Sequence, residues 1–240
     1  MKAAAAIAVE RCGGRDVVVD QRSPAPFSIR QSGGRILVAA SAAAPVGGDE
    51  LDLSIRVGSH ARADIGSVAA TMVWPGPDGR ASSMHTACTV ADHGHLDLRL
   101  EPTISVNRSR HRASTLVQLV GTATCHVVEE AVLGRTGECS GLLDLSLRVE
   151  RDGVPLVHHD ERFGPDIAGA LSSVSVGSAR YVLAAVTVGP PAGGADVSVD
   201  GDRAAAWLPV ADDAVVVIAT GPDRPSTLEL LADLPIPRSA

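Results

Sequence analysis

Lysine and aromatic residues are the side chains that this chain has least of. Among 240 residues there is one lysine, Lys2, and the rest of the 21 basic residues are arginine. Schiff-base enzymes, P-loop nucleotidases and protein kinases each place an internal lysine on substrate or phosphate, so these classes are excluded. Two Trp, two Phe and one Tyr leave few rings on which single-stranded nucleic acid could stack. The net charge of -7 supplies no basic surface for nucleic acid or an anionic membrane.

Cysteine pairs and long hydrophobic runs are also missing. The four cysteines form no CxxC motif, which argues against a zinc ribbon or a dithiol redox site and favours free thiols in a reducing cytosol. The longest uncharged apolar run, residues 36–46, contains Ser41 and Pro45 and falls short of the ~20 residues that span a bilayer. The alanine-rich segment Ala3–Val9 runs into Glu10 and is a poor match to a signal peptide. We therefore expect a soluble, cytoplasmic protein.

Alternating apolar and polar residues dominate the middle of the chain. The clearest runs are Leu51–Val57, Leu96–Leu100 and Leu143–Glu150, and this period of two is typical of half-buried strands. The first and third runs are nearly identical, which shared strand patterning explains better than an internal duplication. Further strands are predicted at residues 36–39, 61–65, 69–74, 115–120, 181–188 and 215–219. Many short strands between Gly, Pro, Asp and Ser clusters predict an all-β fold of stacked β-helical or sandwich-like form.

Helix signals are sparse and no change of composition divides the chain. Ser226 and Glu229 form a candidate capping box for a C-terminal helix, and a second short helix is predicted to follow Pro165. Residues 189–194 (GPPAGG) are the best candidate for a break and are interpreted as a loop. We therefore predict a single domain over residues 1–240.

Histidines near carboxylates provide weak candidate metal ligands. His93 and His95 share a face if they lie on a strand and would then supply half of a Zn or Ni site, but they also read as solvated residues of a turn. In the segment that follows residue 157, only His158 and Asp160 could converge, because adjacent strand residues point to opposite faces. In both cases the solvated interpretation is favoured over the metal site.

The segment Glu129–Glu138 (EEAVLGRTGE) is the most distinctive one in the chain. A glycosidase needs two carboxylates on either side of one bond, and Glu129 or Glu130 with Glu138 could supply them. Glu129 and Glu130 cannot both face one pocket if this segment is extended. The structural alternative is that Glu138 pairs with Arg135 across a glycine turn, and on the sequence alone this alternative is favoured.

Several segments, in order, resemble the urease accessory protein family UreD, also known as UreH. These segments are Gly47–Leu51, Ser67–Trp74, Leu100–Ser105 with Ser109–Arg110, Glu129–Glu138 and Val149–Gly153, and they cover roughly residues 45–165. The first four of these motifs in the right order are more specific than any one of them, and the strand and turn at Val149–Gly153 match as well. The sequence departs from the family at Val68, where glutamine is usual, and at Met72, where lysine is usual.

The resemblance implies a non-enzymatic chaperone with a β-rich fold that acts in the cytosol. It would assist nickel insertion into apo-urease, with UreF and the GTPase UreG as partners and nickel only in transit, so no tightly bound cofactor is expected. A separate GTPase subunit agrees with the missing P-loop lysine. A conduit must also release its ion, which scattered carboxylates allow more readily than a closed set of His and Cys ligands.

The resemblance also points to individual residues. It implies that Glu101, Glu130 and Glu138 face the nickel path or its mouth. The residues expected to shape the motifs themselves are Gly47, Gly48, Asp49, Gly134 and Arg135. Two other functions stay open on the sequence alone: a β-rich glycoside hydrolase that uses Glu129 or Glu130 with Glu138, and a generic β-rich binding module. The scarcity of aromatic residues argues against the hydrolase, because sugar sites commonly stack sugar rings on aromatic faces.

Overall fold

The computed structural model describes residues 1–165, 167, 176–189 and 193–232. This part of the chain contains 18 strands and one helix. The strands are β1 (Lys2–Cys12), β2 (Arg15–Arg22), β3 (Phe27–Ser32), β4 (Arg35–Ala40), β5 (Glu50–Val57), β6 (Arg62–Ser67), β7 (Thr71–Val73), β8 (Ser82–Val90), β9 (His95–Arg99), β10 (Thr103–Ser105), β11 (Arg110–Leu119), β12 (Thr124–Leu133), β13 (Leu142–Arg151), β14 (Val154–Phe163), β15 (Tyr181–Val188), β16 (Asp196–Asp200), β17 (Arg203–Ala211) and β18 (Ala214–Gly221). The helix is α1 (Arg224–Ala232).

Two sheets contain all 18 strands. The seven-stranded sheet has the order β14-β13-β11-β8-β5-β1-β2, and the eleven-stranded sheet contains the path β16-β17-β18-β15-β12-β9-β6-β4-β3. From β4 to β13 the chain passes repeatedly from one sheet to the other, so neighbouring strands within each sheet are parallel. The short strands β7 and β10 pair in parallel beside β12 and complete two of the coils. The result is a stack of coils with a sandwich-like cross-section, and this confirms the predicted all-β class.

The main hydrophobic core fills the space between the two sheets. Every second residue of the alternating runs points into it, as Leu53 and Ile55 of β5 and Leu147 of β13 illustrate. The resemblance between β5 and β13 follows from their equivalent positions, since both strands lie in the seven-stranded sheet with the same face inward. A second apolar cluster lies on the other face of the eleven-stranded sheet, where α1 covers it with Leu230 and Leu231.

The structure contains strands that the sequence patterns did not predict. In β1 the five residues from Ala5 to Val9 are all buried, so the segment has no polar alternation. β1 pairs in parallel with β5 and antiparallel with β2. In β14 the inward face carries His159 and Glu161 between apolar residues, which also hides the period of two. Alternation therefore finds only strands with one apolar and one polar face.

Some predicted boundaries were wrong, and two predictions fall partly outside the described residues. Helix α1 begins at Arg224, and Asp223 caps it by accepting a hydrogen bond from the Ser226 amide at 2.9 Å, so Ser226 and Glu229 are not its capping box. β11 begins at residue 110, five residues before the predicted start. Most of the helix predicted after Pro165, and the centre of the 189–194 loop, lie outside the described residues. In the described part of the chain, no helix is long and apolar enough to cross a membrane.

Ile7 tests the position of β1 between β5 and β2. Its side chain is 1% exposed in the main core, so Ile7→Ala should lower the free energy of unfolding by about 3 kcal/mol, through lost burial and the resulting cavity. Val17→Ala on the edge strand β2, where Val17 is 41% exposed, is the matched control and should cost less than about 0.5 kcal/mol. Urea unfolding measures both, and equal effects would contradict the position assigned to β1.

Candidate functional site

A cavity of about 460 Å³ lies between the two sheets at one end of the sandwich. Leu51 and Leu53 of β5 line it from the seven-stranded sheet, and Leu98 and Val127 line it from the eleven-stranded sheet. Its rim carries small exposed apolar side chains from the loops after β4 and β6: Ala40, Ala42, Ala43, Val68, Ala69 and Ala70. Three acidic residues also contribute to the lining, namely Glu101, Glu129 and Glu130. A mostly apolar cavity with a few polar groups is the usual form of a binding site or passage.

Glu129 is the carboxylate that points between the sheets. It lies on β12 with the same orientation as the core residues Val127 and Ala131, and it accepts a hydrogen bond from the Thr115 hydroxyl of β11. Loss of water around the carboxylate raises the pKa of Glu129 to about 7, and the Glu161 carboxylate acts in the same direction. The Thr115 hydroxyl and the charge of His159 only partly oppose this shift. Glu129 is thus a carboxyl group that can be neutral or charged near neutral pH.

His159 and Glu161 extend this polar break in the core toward the edge of the sandwich. Both lie on the inward face of β14, between the buried Val157 and Phe163. The Nε2 atom of His159 lies 3.5 Å from a Glu161 carboxylate oxygen, and that carboxylate is the main reason why the pKa of His159 is raised. Neither residue was predicted from the sequence, because the candidate pair His158 and Asp160 lies on the opposite face of this strand. Both residues are an even number of positions from the apolar Val157 and Phe163, and this period of two could have shown that they face inward.

Glu130, the next residue on β12, points to the opposite face of the sheet, as expected for an extended segment. Its side chain is 7% exposed and binds the Arg224 guanidinium through two nitrogens, with Nη2 to Oε1 at 3.0 Å. The Tyr181 hydroxyl donates a further hydrogen bond to Glu130 at 2.7 Å. Arg224 also lies 3.8 Å from Glu101, so one guanidinium joins two of the three predicted carboxylates. No local signal could have revealed Arg224, which is 94 residues from Glu130.

Glu138 lies in a separate turn and does not line the cavity. It accepts hydrogen bonds from the Arg135 Nε at 2.8 Å and the Arg135 amide at 3.0 Å, which is the pairing that the structural alternative predicted. These bonds hold the pKa of Glu138 at about 2. Gly134 begins the turn with φ of +86°, and a Cβ there would meet the Glu138 carbonyl oxygen at 2.6 Å. The Arg135 guanidinium stacks on Trp74 at 5.3 Å from the ring centre.

The glycine-glycine-aspartate motif forms the tight loop just before β5. A Cβ on Gly47 would lie 2.4 Å from the Gly76 amide nitrogen, so the close approach of these two loops requires glycine. Gly48 has φ of +90°, and Asp49 is 5% exposed and accepts a hydrogen bond from the Val46 amide at 2.8 Å. The motif therefore shapes the start of the strand whose residues Leu51 and Leu53 line the cavity.

Neither His158 with Asp160 nor Cys125 with His126 forms a catalytic or preformed metal site. His158 and Asp160 do meet, at 2.9 Å, but on the outer face of the seven-stranded sheet. Cys125 is buried in the core, which raises its pKa to about 12, and its neighbour His126 points to the other face of β12. All four cysteines are free thiols. Within the described ranges, no group of three or more His, Cys, Asp or Glu side chains is arranged to hold a metal ion.

The pKa of Glu129 predicts how stability depends on pH. Unfolded, this carboxyl ionises near pH 4.5, whereas the folded protein keeps it protonated until about pH 7. Stability is therefore lost as the pH rises between these values, by roughly 2 to 3 kcal/mol. Glu129→Gln removes this loss, so the variant should exceed the parent in stability at pH 7.5 and match it near pH 4.5. Urea unfolding at both pH values measures the difference, and Glu229→Gln on exposed α1 surface is the control. A pH-independent difference for Glu129→Gln would contradict the assigned environment.

The ion pair between Arg224 and Glu130 predicts that removing this half-exposed arginine lowers stability substantially. Arg224→Ala leaves the Glu130 carboxylate without its counter-charge and should lower the free energy of unfolding by about 2 to 3 kcal/mol. Arg56→Ala is the control, because Arg56 is 66% exposed and 4.0 Å from Asp20, and such pairs contribute at most about 1 kcal/mol. Adding Glu130→Gln to Arg224→Ala should restore part of the lost stability. A small loss in Arg224→Ala, similar to the control, would refute the bridging role.

Comparisons with known proteins agree with the family resemblance. The model of the family described as "UreD urease accessory protein" matches residues 1–227. Urease accessory protein UreD of Parafrankia sp. (strain EAN1pec) is 31% identical over 249 residues, which cover 93% of this chain and 84% of the relative. UreD of Frankia alni is 34% identical over 76% of this chain and 66% of the relative. UreD of Frankia casuarinae is 36% identical over 75% of this chain and 61% of the relative, so the matches span under two thirds of the two Frankia proteins. Because the family model covers residues 1–227, the chain belongs to the UreD family of urease accessory proteins.

Proposed function

We propose that this chain is a non-enzymatic chaperone that helps to insert nickel into apo-urease in the cytoplasm. In this proposal it acts as a scaffold with UreF and the GTPase UreG, and nickel is a cargo in transit rather than a bound cofactor. Membership of the urease accessory family supports the link to urease maturation. The observation that carries the proposal is the cavity between the sheets, whose lining includes Glu101, Glu129 and Glu130.

The chemistry of the cavity suits the passage of a cation. Carboxylate oxygens bind divalent ions, and a few of them separated by apolar walls allow an ion to enter and leave with its water. Glu129 supplies a carboxyl group inside the sandwich, while Glu101 and Glu130 are drawn together near the rim by Arg224. We therefore place Glu101, Glu129 and Glu130 on the proposed path. Glu138, the third acid that the family resemblance suggested, is better explained as a residue that orders its turn.

His159 and Glu161 suggest where the proposed path continues. Both side chains face inward on β14, and His159 and Glu161 act electrostatically on Glu129. β14 is an edge strand of the seven-stranded sheet, so a route past Glu129 would reach the surface there rather than crossing the apolar core. In this proposal the ion enters at the alanine-rich rim and leaves beside β14, or moves in the reverse direction.

Reconstituted urease activation tests the proposal. The chain would be combined with UreF, UreG, apo-urease, nickel and GTP, and urease activity measured over time. Glu129→Gln preserves shape but removes the ionisable carboxyl, so activation should fall roughly tenfold while the complexes still form. Glu138→Gln is the matched control, since it changes the same residue type in the same motif outside the cavity lining, and it should activate nearly as well as the parent.

Two results would count against the proposal. Parent-like activation by both Glu129→Gln and Glu101→Gln, with intact complexes, would remove the carboxylates from the path. Failure of the chain to co-purify with UreF and apo-urease would remove its assigned partners and leave a generic β-rich binding module.

A further inference from the structure

Three turns are stacked at the end of the sandwich that lies away from the cavity. Each turn carries the chain from the seven-stranded to the eleven-stranded sheet: residues 58–61 follow β5, residues 91–94 follow β8 and residues 120–123 follow β11. Each is closed by a hydrogen bond from its fourth amide to its first carbonyl, at 2.8 to 3.1 Å. The cavity is lined by the opposite ends of these coils, for example by Leu51 at the start of β5 and Leu98 near the end of β9.

The third position of each turn forms a column across the stack. The residues are His60, His93 and Thr122. The His60 and His93 rings are stacked with their centres 4.6 Å apart and their planes at 12°, close to the spacing of neighbouring strands. The Thr122 hydroxyl lies 2.9 Å from the Nδ1 atom of His93. Repetition of the coil thus brings together two histidines that are 33 positions apart in the sequence and both exposed.

Hydrogen bonds between the turns hold the backbone around this column in place. The Asp92 carbonyl accepts hydrogen bonds from the Ser59 hydroxyl at 2.7 Å and from the His60 amide at 3.3 Å. The Asp92 carboxylate accepts one from the Thr122 amide at 2.8 Å, and its other oxygen lies 3.5 Å from the Nε2 atom of His93. The two rings are therefore presented on fixed turns, with a carboxylate oxygen beside one of them.

We propose that His60 and His93 together form a surface binding site for a divalent transition-metal ion of the imidazole-binding class, such as Cu²⁺, Ni²⁺ or Zn²⁺. Imidazole nitrogen is a preferred donor for these ions, at metal–nitrogen distances of about 2.0 to 2.1 Å. Bond lengths of this size need the two nitrogens to lie within about 4 Å of each other. A rotation of the His60 ring about its Cβ–Cγ bond supplies this approach while Thr122 holds the His93 ring, because the turns hold the two side chains side by side.

The contacts of the column assign the donor atoms. Thr122 engages Nδ1 of His93 and leaves Nε2 of that ring as the metal-binding nitrogen, in the manner of the outer-sphere partners that orient histidine ligands. Water completes the coordination shell, with Asp92 near enough to accept hydrogen bonds from that water. The site differs from the carboxylate-lined cavity in donor type and in position, and it does not depend on the proposed function in urease maturation.

Copper and nickel titrations of the tag-free full-length chain test the site. The backbone at His60 and His93 has φ of +59° and +60°. Asparagine tolerates this conformation, so His60→Asn and His93→Asn are the appropriate variants. Isothermal titration of the parent should show one ion bound through the pair, with Cu²⁺ tighter than Ni²⁺. Each Asn variant should weaken this binding at least about tenfold, as expected for the loss of one of two protein ligands.

His85→Asn is the matched control, because His85 is exposed on the outer face of the seven-stranded sheet and its ring contacts Ser114 rather than another histidine. This control should bind as the parent does. Electron paramagnetic resonance of the Cu²⁺ complex should show two nitrogen donors in the parent and one in either Asn variant. Parent-like affinity in both Asn variants, or a single nitrogen donor in the parent, would overturn the proposal, whatever the outcome of the urease activation experiment.

Discussion

The in-register stacking of parallel strands is the constraint on which the rest of the structure depends. Each coil places one strand in each sheet, and the pairing between β5, β8, β11 and β13 keeps the same residue parity facing inward over the whole stack. A shift of one residue in any coil would move its leucines and valines from the core to solvent. Aliphatic residues on alternate positions are thus enough to build a core that uses almost no aromatic side chains.

The same constraint determines the environment of each polar residue that replaces an aliphatic one. Glu129 has the parity of a core residue, and the stack therefore places a carboxyl group between the sheets, with Thr115 and His159 nearby. Glu130 has the opposite parity and is directed to the outer face, where it needs the counter-charge of Arg224. Two adjacent glutamates in one motif thus have different environments, one that titrates near neutral pH and one that forms an ion pair.

The turns follow the same repeat and produce contacts that the strands alone would not predict. Equivalent turn positions lie one strand spacing apart, which explains the stacked rings of His60 and His93 and the bonds that Asp92 makes to neighbouring turns. On the sequence, His93 was paired with His95 as a possible metal half-site. The coil repeat instead gives His93 a partner from the preceding turn, because position 93 leaves the strand and enters the left-handed region at φ of +60°.

Local residue patterns were enough to predict the all-β class, the strands with one apolar face, the family motifs and the Arg135 to Glu138 turn. Each of these depends on residues close together in the chain, either through the period of two or through a short-range ion pair. The folded structure was needed to show that Arg224 joins Glu101 to Glu130, that Thr115 and His159 face Glu129, and that His60 meets His93. These contacts join distant segments, and their existence depends on which strands become neighbours and with which register, information that no local pattern of residues contains.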